Sequence, residues 1–279
     1  MTPVGAPMLK RQLIPWILIV LLALLFLTPL FWAISASLHT NATIFKTPFS
    51  WIPIPAHWGN YVTSWKSASF SHDVVNSFFI AIAIAVVCTV FSHMAGYGLA
   101  KFVFRGRNLI FGAIIGTLLM PFSAIMIPVF VIVRELGWVN SYEGIIVPGI
   151  MTAQAVFFMR QYMFGVPDEL IASARVDGAS EWLTYWRIVF PLTWPVVITV
   201  AVLTFVGSWN NLLWPLVVVN SQHLYTIPLG LAQFNNVYFT NYVFMTAMAL
   251  VSIIPVIVLF LLTARRLLNS IMISSGVKG

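Results

Sequence analysis

Few side chains in this 279-residue chain can do chemistry, and those that can favour binding over catalysis. One charge-mixed, amphipathic stretch runs Pro167-Asp-Glu-Leu-Ile-Ala-Ser-Ala-Arg-Val-Asp177-Gly178-Ala-Ser-Glu-Trp-Leu-Thr-Tyr-Trp-Arg187-Ile-Val-Phe-Pro191. Pro167 suits a helix start, and Asp168 and Glu169 favour the positive end of its dipole. Gly178 suits a break, with Arg175 in the turn before it. Trp182, Tyr185, Trp186 and Val189 recur at i, i+3, i+4, i+7 and predict a second helix, with Pro191 as its stop. Two short helices around a glycine, carried by a membrane chain, make a docking element for something soluble. The other reactive group is uncharged. Asn210 and Asn211 stand between Trp209 and Trp214. The stretch 220–242 holds Asn220, Gln222, Tyr225, Gln233 and Asn235 but no Asp, Glu, Lys or Arg. Amides pair with hydroxyls and rings stack on sugar C–H faces, which is the chemistry of neutral polyols. Packing within the protein is the competing reading for both groups.

Other chemistries lack their residues. No G-x-x-x-x-G-K-[ST] run exists to cradle a nucleotide phosphate. No His, Cys and carboxylate cluster has metal-ligand spacing, and no nucleophile–base pair can be assembled. The single cysteine, Cys88, lies in an apolar run and reads as a small buried residue. The chain is therefore expected not to be an enzyme and to hold no metal or cofactor of its own.

The elements that must position these groups are membrane helices. The chain is 60% hydrophobic, with a mean hydropathy of +0.96 and 8% charged residues, where soluble domains carry about 25%. A helix needs about 20 apolar residues to cross a bilayer. Six runs qualify: 13–38, 74–100, 108–133, 144–164, 192–219 and 243–264. No repeat or linker divides them, so residues 1–279 read as one transmembrane domain. The first run is too long for a signal-peptide core and reads as a retained helix. Lys10, Arg11, Lys101, Arg105, Arg107, Arg160, Arg175, Arg187, Arg265, Arg266 and Lys278 flank one side; Lys46, Lys66 and Arg134 flank the other. Basic residues stay cytoplasmic, so both termini and the Gly178 segment are expected there. This rule accounts for the net charge of +7, and the dispersed cations exclude a nucleic-acid surface.

Apart from Arg160, the spans carry no Asp, Glu, Lys or Arg, which argues against ion-coupled transport and for an uncharged solute. Pro121, after Met120, and Pro128 interrupt the third span and are candidates for a gate or a static kink. Gln154 in the fourth span and Trp209, Asn210, Asn211 and Trp214 in the fifth are candidates for the path. His93 in the second reads as a packing histidine.

The 167–191 segment resembles the coupling (EAA) loop of ATP-binding-cassette importer permeases, usually P-x-E-L-x-E-A-A-x-x-D-G-A-S closed by I-x-L-P. The match is at Pro167, Glu169, Leu170, Ala174, Asp177, Gly178, Ala179, Ser180, Ile188 and Pro191. It departs at Ala172, where the family has glutamate, and at Ser173 and Phe190. Trp209-Asn-Asn-Leu-Leu-Trp-Pro215 resembles the W-N-x-x-L-W-P of the carbohydrate-uptake branch. Ser275-Gly-Val-Lys-Gly279 is similar to the tail of the smaller maltose-type permease. The resemblance implies an all-α polytopic membrane protein with six transmembrane helices and the type I importer architecture. In it, residues 166–191 form the ATPase-coupling loop, with Trp182 among the contacts. Residues 266–279 form a cytoplasmic tail that reaches the ATPase through Ser275, Gly276, Lys278 and Gly279, and 220–242 probes a binding protein. The implied partners are a second permease, two ATP-binding subunits holding ATP and Mg, and an extracytoplasmic solute-binding protein. The setting is a bacterial or archaeal plasma membrane, and the cargo a sugar or oligosaccharide. Glycerol phosphate or a phosphodiester is the alternative cargo. A self-contained channel would leave the 167–191 insertion without a purpose.

Overall fold

The computed structural model describes residues 6–67, 70–232, 234 and 241–274, with side chains between 15 and 264. In chain order the helices are α1 (Ala6–Ser37), α2 (Gly59–Ser67), α3 (Phe70–Lys101), α4 (Arg107–Gly116), α5 (Phe122–Glu135), α6 (Tyr142–Ile146) and α7 (Ala153–Met163). Then come α8 (Asp168–Val176), α9 (Glu181–Thr184), α10 (Phe190–Leu192), α11 (Trp194–Trp209), α12 (Leu213–Val218), α13 (Ile227–Ala232) and α14 (Tyr242–Ser274). No strand occurs among the described residues. Four stretches are long and apolar enough to cross a membrane: Pro15–Ser37, Phe70–Lys101, Tyr142–Met163 and Tyr242–Ala264. Two bent pairs, Arg107–Leu119 with Phe122–Glu135 and Glu181–Leu192 with Trp194–Trp209, raise the number to six if each is one span.

Three predicted helices depart from a straight rod. The third, read from sequence as 108–133, turns by 107° between α4 and α5. Met120 is extended (φ −93°, ψ 117°) and Pro121 caps α5, because proline disfavours a helical residue before it. Pro128, expected as a second interruption, lies inside α5, which continues through it. The fifth, read as 192–219, stops at Trp209 and resumes at Leu213. Pro191 does not stop the helix that starts at Glu181. Tyr185–Val189 is a π turn, and the helical run continues through Phe190–Leu192 to a 78° bend at Thr193. The wider turn loosens the ladder just before the proline, whose missing N–H leaves a carbonyl without its donor and whose ring would otherwise clash with the carbonyl four residues back.

The chain packs as two compact units, Met1–Ala68 with Leu231–Ile253 and Ser69–Gly230 with Ile254–Gly279. In the first, Ala36, Ile44 and Val243 form a small buried cluster. Asn60 Nδ2 donates to the Ser37 and His39 carbonyls at 2.8 and 2.9 Å, which caps the end of α1. Residues 15–29 of α1 are exposed in the isolated chain and almost wholly apolar, a surface for lipid or an apolar partner. In the second unit α3 packs along α7 and α11. Cys88, Ala155, Met159, Val196, Val197 and Val200 form the core there. Gly96 lets α3 and α7 approach: a Cβ on it would sit 2.6 Å from Met159 Cβ and 2.8 Å from the Arg160 nitrogen. Arg160 is buried, donates from Nε to the Leu99 carbonyl at 3.1 Å, and lies 3.8 Å over the Phe111 ring. It thereby satisfies a carbonyl near the end of α3 and has its charge offset by a ring face.

Candidate functional site

The insertion after α7 is built by local rules. Pro167 (φ −61°, ψ 132°) caps α8, and Asp168 and Glu169 occupy its first turn. At the other end the Gly178 N–H donates to the Arg175 carbonyl at 3.1 Å and the Ala179 N–H to the Ala174 carbonyl at 2.9 Å. This pairing is a Schellman motif, and it requires the left-handed backbone that Gly178 adopts at φ +80°. Ser180 starts the next helix, its Oγ accepting from the Leu183 N–H at 3.2 Å. Arg175 Nε donates to Glu181 at 2.6 Å across the turn. That bond raises the arginine further above its ordinary pKa. Both side chains are about half exposed, so the pair is worth only about 0.5 kcal/mol. Burial of Val166, Ile171 and Val189 with Tyr97, Met163 and Tyr185 contributes about 1.5–3 kcal/mol for each aliphatic side chain. Packing, not the ion pair, seats the insertion.

What remains outward is a mixed polar and apolar face. Glu169, Leu170, Asp177, Ser180 and Trp182 are exposed, Pro167 and Gly178 are open, and Ala179 is half-buried. Ala174, expected among the coupling contacts, is buried against its own chain; its part is to close the turn. Val176, at 88% exposure, and Leu183 were missed in the sequence. The readable signal was an apolar residue on a face otherwise polar. Glu169 has no hydrogen bond or ion pair among the described residues, whereas Glu181 is held by Arg175. Glu169→Ala is therefore expected to lower co-purification of a docked partner more than Glu181→Ala does. The reverse order of yields would place the polar anchor elsewhere.

A second feature is a cavity of about 300 Å³ within the same unit. Thr152, Gln154, Thr204, Ser208 and Asn211 supply polar atoms, and Phe122, Phe158 and Trp214 supply rings. Among the described residues, no Asp, Glu, Lys or Arg lines it. Three of the sequence-predicted path residues, Gln154, Asn211 and Trp214, meet there; the others do not. Trp209 is buried at 4.7 Å from the Phe78 ring, Asn210 faces out and bonds the Val206 carbonyl, and Pro121 and Pro128 are exposed. Trp214 also braces the wall, its Nε1 donating to the Gly144 carbonyl at 3.0 Å. Thr152, Thr204 and Ser208 went unread because isolated hydroxyls in apolar runs also serve to bond the helix backbone.

The segment following α12 is anchored rather than free. Asn140, at φ +61°, accepts from the N–H groups of Asn220 and Ser221 at 3.0 and 2.8 Å. Asn76 Nδ2 donates to the carbonyls of His223 and Tyr225, and Ser77 Oγ accepts from the Ile227 N–H. The Asn220 and Gln222 side chains remain exposed, and Tyr225 is half-buried. Gln233 and Asn235 lie outside the described residues, as do Ser275, Gly276, Lys278 and Gly279 of the tail. Asp73, which the sequence reading left outside the second span, is the first-turn acid of α3 and almost wholly buried.

This arrangement has known counterparts. A model of the family described as binding-protein-dependent transport system inner membrane component matches residues 89–269. The arabinooligosaccharides transport system permease protein AraQ of Halalkalibacterium halodurans is 40% identical over 204 residues, 73% of each chain. The sn-glycerol-3-phosphate transport system permease protein UgpE of Yersinia pestis is 32% identical over 262 residues, covering 88% of this chain and 91% of that one. Among solved structures, a chain of a bacterial ABC transporter involved in the import of the acidic polysaccharide alginate superposes with a TM-score of 0.81. It covers 95% of this chain and 99% of that one at 23% identity, so the fold is shared.

Proposed function

We propose, from the premise that this chain belongs to the family of binding-protein-dependent transport system inner membrane components, that its solute is a neutral sugar or oligosaccharide. The chain is a membrane permease subunit of an ATP-driven importer. The observation that carries the cargo reading is the cavity lined, among the described residues, by amide, hydroxyl and aromatic side chains and no charged ones, a lining suited to polyols. A relative named for arabinooligosaccharides supports it. A relative named for glycerol phosphate supports the alternative, but the lining offers no cation to an anionic headgroup.

In this reading the chain is not itself an enzyme. ATP and Mg sit on two partner ATPases, which receive the 166–191 loop through Glu169, Leu170, Asp177, Val176 and Trp182. A second permease completes the path, and a solute-binding protein meets the 220–242 segment from outside. The tail beyond 274 reaches the ATPases. Both termini and the Gly178 loop lie in the cytoplasm of a bacterial or archaeal cell, the protein crossing its plasma membrane several times. ATP closure moves the seated insertion, and the two global states differ in the contacts the insertion makes.

The test is reconstitution of the chain with its gene-neighbour permease, ATPase and binding protein in proteoliposomes, with radiolabelled arabinotriose and with sn-glycerol 3-phosphate. Uptake of the sugar is expected only when ATP is on the Gly178 face and loaded binding protein on the other. Gln154→Leu should raise its half-saturation concentration about tenfold, the effect of a lost hydrogen bond to solute. Preferred uptake of glycerol phosphate, or uptake without ATP, would overturn the reading.

A further inference from the structure

The helix α3 carries bonds to both functional segments. At its Lys101 end, His93, Tyr97 and Lys101 are spaced by four and so form one stripe. That stripe reaches the insertion at three separated points. Lys101 Nζ donates to the Val166 carbonyl and to Asp168, both at 2.6 Å, where the insertion begins. Tyr97 reaches Glu181 at 3.5 Å, in the middle, and its ring lies 5.5 Å from that of Tyr185. The fully buried His93 bonds Tyr185 at 2.7 Å and Thr193 at 2.6 Å, the second at the 78° bend where the insertion ends.

The protons on these atoms can be assigned. The Thr193 hydroxyl donates to the Val189 carbonyl at 2.7 Å, so its oxygen accepts from His93 Nε2. His93 Nδ1 then accepts from the Tyr185 hydroxyl. One neutral imidazole thus holds the π turn and the bend in fixed relation to α3, with every hydrogen-bonding site used. At the Phe70 end, Asn76 holds two carbonyls of the 222–225 segment and accepts from the Tyr142 hydroxyl at 2.7 Å, and Ser77 holds the Ile227 N–H. Both couplings lie on one helix without an internal proline, and the 17 residues from Asn76 to His93 make a strut of about 26 Å.

We propose that α3 is the positioning element that makes the 166–191 loop and the 222–227 segment move together, with His93 and Asn76 as its two couplings. The inference rests on the importer reading and specifies its regulation. An ATPase bound at one end alters the outer surface offered to a binding protein at the other. By linkage, docking there alters the ATPase state by the same factor. The warrant is a continuous helix hydrogen-bonded to both segments, not their mere nearness.

The experiment uses the assembled complex with its ATPase and second permease, and needs no solute. Gln222→Cys, on the exposed 222–224 turn, is labelled with a soluble maleimide, with and without ATP plus vanadate; the native Cys88 is buried. Trapping is expected to change the labelling rate about fivefold or more, the lower range of allosteric couplings. His93→Leu and Asn76→Ala should each remove that change while the complex still co-purifies. His93→Gln, which keeps one donor and one acceptor, should restore part of it. If His93→Leu fails to assemble, Tyr185→Phe deletes only the hydroxyl that bonds Nδ1 and carries the same expectation. A labelling change that persists in these variants, or is absent from the unsubstituted complex, overturns the proposal. Failure of the chain to co-purify with any ATPase would instead overturn the importer reading.

Discussion

Gly96→Leu is expected to abolish accumulation of folded protein. A Cβ at this position would lie 2.6 Å from Met159 Cβ, 2.8 Å from the Arg160 nitrogen and 2.9 Å from the Met159 carbonyl carbon. Two of these are backbone atoms, so no rotamer change relieves the clash. Relief requires α3 and α7 to separate, which opens the core around Cys88 and Met159 and pulls Arg160 off the Leu99 carbonyl. Small residues at such crossings are what allow membrane helices to pack closely. Even Gly96→Ala should cost about 1–3 kcal/mol, the usual range for overpacking. Gly98, two residues along the same helix, is the control. A Cβ there meets nothing within 4 Å, and alanine is the better helix former. Yield of monodisperse detergent-extracted protein and its melting midpoint report both. Gly96→Ala behaving like Gly98→Ala would mean the crossing can relax.

The second large effect is expected at Gly178, where function should fall far more than stability. Its φ of +80° costs a side-chain-bearing residue about 1–2 kcal/mol. Yet among the described residues nothing beyond its chain neighbours lies within 4 Å of where a Cβ would be. Space around Gly178 is therefore free for a partner, and Gly178→Asp places a charged side chain into it. ATP-driven uptake should drop at least tenfold, equal to about 1.4 kcal/mol of coupling. The chain alone should unfold only slightly earlier. Gly178→Asn separates charge from bulk, since both side chains tolerate the left-handed region and only aspartate is charged. If it also loses uptake, the partner needs the bare Cα. Full uptake in both variants would show that the loop tip touches nothing.

Sequence alone determined what depends on neighbours a few residues apart. Apolar runs of about 20 residues mark the spans, because a bilayer leaves backbone groups no partner but a helix. The order Pro167, Asp168, Glu169, then Arg175 and Gly178, marks the first docking helix, because caps and dipoles act within one turn. The short helix stands in the structure as read, with Gly178 in the conformation that the break requires, whereas of the six runs four are long helices and two are bent pairs. The local rule failed at Pro191, where a π turn absorbs the proline, and at Pro128, which α5 tolerates.

Only the tertiary structure decided which side chains share a place. Gln154, Asn211 and Trp214 meet at one cavity although 57 residues separate the first two. His93 looked like packing, and its two partners, 92 and 100 residues away, make it the junction of the insertion with α3. Ala174 looked like a contact and is buried. Distant contacts leave no local signature in a chain, because the same histidine or alanine fits many apolar helix faces. Which face it joins is settled when whole helices pack and each buried polar atom must find its partner.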